Sequence, residues 1–303
     1  MSPDAPDLPP LVDAAVAARW WREGATRPAP WLHTEIARRM DERLAVIRLR
    51  PQRLIDWWSR PGGSMALLRA RYPEAHAIAV EAVLAVAPDG GWRGTVGRWL
   101  GRPAAGAAHE AVSVDGASGL VPVDMLWANM GLHWHADLGG LFAQWHARLR
   151  VDGFLMFSCF GPDTLAELRT LYREAGWGAP ARDFTDMHDL GDALVHAGFA
   201  DPVMDMETVR LSWASVPEML AELRTLGINA APARFPGLRT PAWRRAFEAH
   251  LAQALTGPDG RVSLGFEIVF GHAFRPAPRA RVQAQTTVAL EDMRRMVRRG
   301  EPR

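Results

Sequence analysis

Short apolar runs alternate with stretches of helical period along the first half of the chain, and this alternation restricts the fold more than any other feature. The runs are Arg53–Asp56, His76–Glu81, Val123–Asn129 and Phe154–Phe160, with helical patterns over Ser64–Arg71 and Asp137–Leu149 between them. Strands that alternate with helices specify an α/β fold, a mostly parallel sheet covered on both faces. A further strand is weakly marked at Ala111–Val114, inside a Gly- and Trp-rich segment, Val83–Gly119, that holds Trp92 and Trp99.

The flanking regions extend the pattern. A helix over Leu32–Ile47 places Ile36, Met40, Leu44 and Ile47 on one face. In the last third, helices are predicted over Asp163–Ala175, Asp186–Ala197, Val216–Leu226 and Pro241–Leu255, and strands over Pro202–Trp213 and Val262–Phe274. Residues 1–30, rich in Pro and Ala, read as a loosely ordered arm with one short amphipathic helix around Val12–Trp21. The tail from Arg275 to Arg303 carries eight arginines against three acids, with a basic helical end over Glu291–Arg299.

Composition removes several chemistries. All 35 basic residues are arginine, which excludes Schiff-base and P-loop lysines. Cys159 is the single cysteine and forms neither an intramolecular disulfide nor a Cys-based zinc site, which fits a reducing cytoplasm. No apolar run reaches the roughly 18–20 residues of a membrane span, and the Asp and Pro of residues 1–12 do not suit a signal peptide. A net charge of +1 makes nucleic acid an unexpected partner.

In an open parallel sheet, ligands bind beyond the C-terminal strand ends, near the point where strand order reverses. The turn after the first strand therefore matters most, and here it runs Asp56-Trp57-Trp58-Ser59-Arg60-Pro61-Gly62-Gly63. Glycines in such a turn let the backbone approach a ligand, and an acid ending the second strand, here Glu81, can take both ribose hydroxyls of a nucleoside.

The order Leu54-Ile-Asp56, Tyr72-Pro-Glu-Ala75, Val80-Glu81, Val123-Asp-Met-Leu-Trp-Ala-Asn129, Leu132-His-Trp134 and Asp152-Gly-Phe-Leu-Met-Phe-Ser158 resembles the class I S-adenosylmethionine-dependent methyltransferases. Within that class the segments Gly161–Arg169 and Phe266–Arg275 are similar to the malonyl-acyl-carrier-protein O-methyltransferases of biotin synthesis and to their relatives among respiratory complex I assembly factors. The resemblance spans roughly residues 32 to 276 and implies a Rossmann-like domain over 31–276, a seven-stranded sheet and a helical lid insertion at about 186–255; the basic tail over 277–303 lies beyond it. It implies S-adenosylmethionine as cofactor, held by Asp56, Trp58, Ser59, Gly62, Gly63 and Glu81. The acceptor it implies is a carboxylate on an acyl-carrier-protein-bound chain or another small carboxylate. The chain departs from the family's Asp-x-Gly-x-Gly-x-Gly turn, because Trp58 and Arg60 stand where two of the three glycines would be.

Asn129, His133 and Trp134 follow the strand ending at the same sheet edge and are the expected catalytic residues, against the alternative that His133 is an exposed loop residue and Trp134 a core one. His133, His135 and Asp137 cluster, but nothing accompanies them to complete a metal site, and none is expected. Arg169, Arg210, Arg224 and Arg244 are candidates for facing a substrate acid or an acidic carrier; His272 and Cys159 read as packing residues. Two functions stay open: a carboxyl methyltransferase, or a catalytically degenerate binding or assembly protein that kept the fold, lost the methyl donor and works through a protein partner.

Overall fold

The computed structural model describes residues 12–24, 27–82 and 110–278. Among these, seven strands form one sheet in the order β3-β2-β1-β4-β5-β7-β6. The strands β1 (Arg53–Trp57), β2 (His76–Glu81), β3 (Glu110–Ser113), β4 (Val123–Ala128) and β5 (Leu149–Phe160) are parallel. The last strand, β7 (Val262–Phe274), enters between β5 and β6 (Ala200–Trp213) and runs antiparallel to both. Since β1 lies between β2 and β4, strand order reverses there, which puts the ligand edge at the C-terminal ends of β1 and β4.

Alternate side chains of each strand feed two cores. Met125 and Trp127 face α2 (Trp31–Arg43), α4 (Met65–Arg71), α6 (Ala166–Glu174), α8 (Val216–Leu226) and α9 (Pro241–Leu255), joining Ile36, Met40, Leu68, Leu168, Met219 and Leu251. Leu126 and Ala128 face the other way, with Ile55, Trp57 and Phe157, onto Phe142 and Trp145 of α5 (Leu138–Arg148) and Leu190 and Leu194 of α7 (Met187–His196). Between β1 and α4 lies a single helical turn, α3 (Ser59–Gly62).

Three expectations need correction. The N-terminal arm is not loose over residues 12–24: it forms α1 (Ala14–Gly24), the ring of Trp20 stacks on Trp134 at 4.4 Å, and Asp13 pairs with Arg234 at 2.9 Å. The predicted lid helix at 186–197 is instead a core helix packed with α5 against the sheet, whereas α6, α8 and α9 roof the opposite face. Helix α6 begins at Ala166, because Leu165 adopts a left-handed φ of 60° and breaks the run from Asp163. The predicted features within residues 1–11, 83–109 and 279–303, Trp92, Trp99 and the basic helical end among them, lie outside the described residues.

Candidate active site

The turn after β1 keeps the shape that a glycine would give it without the glycine. Trp58 has φ 58° and ψ 46°, a conformation costing a non-Gly residue roughly 1–2 kcal/mol. The turn is held by Trp58 N–H donating to Val80 O at 2.6 Å and by Gly62 N–H donating to Trp58 O at 2.9 Å. Ser59 Oγ donates to Asp56 at 2.7 Å, and the Arg60 N–H donates to Glu81 at 3.0 Å. Gly63, at φ 69°, sits so close to Ala29 that an added Cβ would lie 2.7 Å from it. Asp56, Ser59, Gly62, Gly63 and Glu81 are thus gathered in one turn-and-strand unit.

Burial sets the electrostatics of that unit. Asp56 is fully buried and its carboxyl is pushed up to about 8, with Ser59 opposing the rise and Glu81 adding to it. Burial likewise raises Glu81 to about 7, against the Arg60 N–H that favours its charged form. For both carboxyls desolvation outweighs the groups that favour the charged form, Ser59 at Asp56 and Arg60 at Glu81.

Trp58 itself does not line an opening. Its ring is 2% exposed. It stacks on Trp21 of α1 at 5.4 Å, meets Trp145 edge-on at 5.7 Å, and lies against the loop after β4. Gly131 in that loop makes the fit possible, because a Cβ there would collide with the Trp58 ring. The crevice between the turn after β1 and the loop after β4 is therefore filled with indole. This corrects the expected role of Trp58 as a residue contacting cofactor.

Asn129 is a tie rather than an open catalytic group. Its Nδ2 donates to Gly62 O at 2.6 Å and to His33 O at 2.7 Å, while its Oδ1 accepts from Ser158 Oγ at 2.7 Å. One amide thus joins the β1 turn, α2 and β5, and no capacity on its Nδ2 is left for a substrate.

His133 and Trp134, by contrast, line a cavity of about 540 Å³ between the sheet edge and the roof of α6, α8 and α9. That volume is within the usual range for small-molecule sites. Its walls are largely apolar, with Phe160, Leu168, Tyr172 and Phe266 among them, and Arg224, Arg239 and Arg244 also line it. Burial and the nearby Arg182 guanidinium hold His133 well below its ordinary value, so its imidazole is neutral at neutral pH.

Arg182 is the lining residue that the sequence reading missed. It is 5% exposed, its guanidinium lies 4.3 Å from the centre of the Trp134 ring, and burial pushes it down to about 9. The available signal was its place in the stretch after β5, beyond the C-terminal strand edge, next to Phe184. Of the arginines that were singled out, Arg224 and Arg244 line the cavity, Arg244 also pairing with Glu248, whereas Arg169 pairs with Asp183 and Arg210 with Glu167. His272 and Cys159 lie on β7 and β5 away from the cavity lining, and burial raises the Cys159 thiol to about 12, which makes it inert. Among the described residues no group of His, Cys, Asp and Glu is arranged to hold a metal ion.

The sheet order with an antiparallel strand next to the edge, an acid at the end of β2 and a roofed cavity beyond β4 define a class I methyltransferase fold. No family model matches the chain. Relatives do: a malonyl-[acyl-carrier protein] O-methyltransferase of Laribacter hongkongensis is 39% identical, over 88% of this chain and 90% of that protein. Another, from Gallionella capsiferriformans, is 36% identical over 82% and 85%. The chain therefore belongs to the malonyl-[acyl-carrier protein] O-methyltransferase family. Among solved structures, the YcgJ protein of Bacillus subtilis is 11% identical, with a TM-score of 0.49 over 80% of this chain and 99% of that one.

Proposed function

We propose that this chain is an S-adenosylmethionine-dependent methyltransferase that esterifies the free carboxylate of a carrier-bound acyl chain, the malonyl acyl carrier protein for which its relatives are named. The observation that carries the reading is the roofed cavity of about 540 Å³ opening beside His133 and Trp134, at the sheet edge where this fold receives ligands. When bound, the sulfonium supplies a methyl group already activated for transfer to oxygen. The acceptor is ionised at neutral pH, so no general base is required, and the protein's work is to position the carboxylate and exclude water from it. The apolar walls formed by Phe160, Leu168 and Phe266 serve the exclusion. Arg224 and Arg244 would face an acidic carrier.

The donor crevice is tested by the residues that fill it. In this arrangement they do not fit an adenosyl sulfonium, because the Trp58 indole stands in the crevice under Trp21; the Glu81 carboxylate accepts the Arg60 N–H on one oxygen and keeps its other oxygen. Admission of the donor requires Trp58 and Trp21 to part, and a ligand that binds only the parted state has its affinity reduced by that state's population. A second reading, in which the cavity still binds its acid but the donor is no longer used, rests on that observation alone, and relatives named as O-methyltransferases weigh against it.

Incubation of the protein with S-adenosylmethionine and a malonyl thioester, followed by mass spectrometry, separates the two. A methyl ester formed by the unaltered protein supports the first reading; acid binding with no ester supports the second. Among the described residues no helix is long and apolar enough to cross a membrane. The buried, unpaired Cys159 agrees with work in the cytoplasm, where carrier-bound acids would be met.

A further inference from the structure

The structure assigns a carboxylate-binding site to the roofed cavity, with the guanidinium of Arg182 as its anchor and the His133 and Trp134 ring N–H groups as its further donors. The assignment deepens the acceptor reading above by naming the atoms that would hold the acid.

Three observations carry it. Arg182 is buried among cavity-lining residues, yet its Nη1 has no hydrogen-bond partner among the described residues. Its guanidinium carbon lies over the rings of Trp134 at 4.3 Å and Phe184 at 5.3 Å, contacts with aromatic faces that provide no hydrogen-bond acceptor of carboxylate strength. His133 Nε2 and Trp134 Nε1 are also buried and unpartnered. His133 Nδ1 accepts, at 3.5 Å, from the N–H of Phe160, which places the proton of the neutral ring on Nε2.

The residues of one cavity thus hold several buried donors that lack an acceptor. Buried donors are nearly always satisfied in native proteins, and a buried cation without an anion is costlier still. An ionised carboxylate is acceptor-only and matches a guanidinium edge in shape and charge. A methyl ester has lost the charge and one strong acceptor, so the site holds the acid and releases the ester. The phosphate of a phosphopantetheine arm is acceptor-only as well, but the aromatic walls and deep burial suit the short acyl end better than a strongly hydrated phosphodiester.

The test is calorimetric titration of the full chain, without methyl donor, using the malonyl thioester of N-acetylcysteamine, its methyl ester, and acetyl phosphopantetheine. The acid should bind at least about tenfold more tightly than the ester, as expected for a charge-assisted pair at a buried site. Arg182→Met should weaken the acid by about thirtyfold or more while leaving the ester unchanged, and Arg182→Lys should fall between. Thermal melting guards against a folding defect: removing an unpaired buried charge should leave the melting temperature of Arg182→Met no lower than that of the unaltered protein.

Equal binding of acid and ester, full retention of acid binding by Arg182→Met, or binding of the phosphopantetheine probe alone would overturn the assignment. So would an Arg182→Met protein that melts well below the unaltered one and loses both acid and ester. Because no donor is present, failure here leaves methyl transfer to its own assay, and failure of that assay leaves this site standing.

Discussion

Two hollows meet at the same sheet edge, both walled by tryptophan, and they end in opposite states. At the β1–β4 crevice the rings of Trp21, Trp58, Trp145 and Trp57 pack on one another until the space is gone. Beyond β4 and β5, Trp134, Trp243 and Phe160 stand around a cavity of about 540 Å³ that contains a buried arginine. Aromatic richness therefore decides neither outcome. The crevice closes because Gly131 vacates the volume that the Trp58 ring needs. The cavity stays open because its roof is carried by separate helices and its cation has no anion from the described residues to collapse onto.

The contrast can be broken most forcefully at Trp58. Replacing it with glycine removes a buried ring but relieves a left-handed residue, and it should destabilise the fold by about 3 kcal/mol, read by urea unfolding. A smaller loss should follow Gly131→Ala, about 2 kcal/mol, because the new methyl group collides with the ring. Adding Gly131→Ala to the Trp58→Gly background should cost under about 0.5 kcal/mol, since the collision partner is gone; additive losses would mean that the two residues do not share the crevice.

Asp56 sharpens the electrostatic side of the comparison. Its carboxyl is raised from an ordinary value near 3.8 to about 8, so the folded state binds a proton that the unfolded state releases. Its contribution to stability is whole below pH 4 and is lost as pH rises through 8. The protein should therefore unfold more easily at pH 8.5 than at pH 6, by about 2–3 kcal/mol from Asp56 alone, and Asp56→Asn should reduce that dependence to the part that Glu81, raised to about 7, contributes. The least effect belongs to the cavity rim: Arg244→Ala breaks an exposed pair with Glu248 and should change stability by less than about 0.5 kcal/mol.

Much of this is legible in the sequence. The strands, their acids and the gathering of Asp56, Gly62, Gly63 and Glu81 follow from local pattern, because each apolar run and turn is written in consecutive residues. The plug was half legible: the bulk of Trp58 could be read in the turn, but its match to Gly131 pairs positions far apart in the chain that only the β1–β4 neighbourhood brings together. Asn129 looked like a cleft residue because it ends β4; its use as a three-way tie depends on α2 and β5, which sequence order does not place beside it. Arg182 was overlooked among many arginines, since what singles it out is burial without a partner.

The most direct test of the closed crevice is the affinity for S-adenosylhomocysteine of the unaltered protein and of Trp58→Gly, measured side by side by calorimetry. Tighter binding by the variant, by about tenfold or more, is the predicted result, because the competing indole has been removed. Equal affinities would show that Trp58 does not occupy the donor's place and would contradict the account.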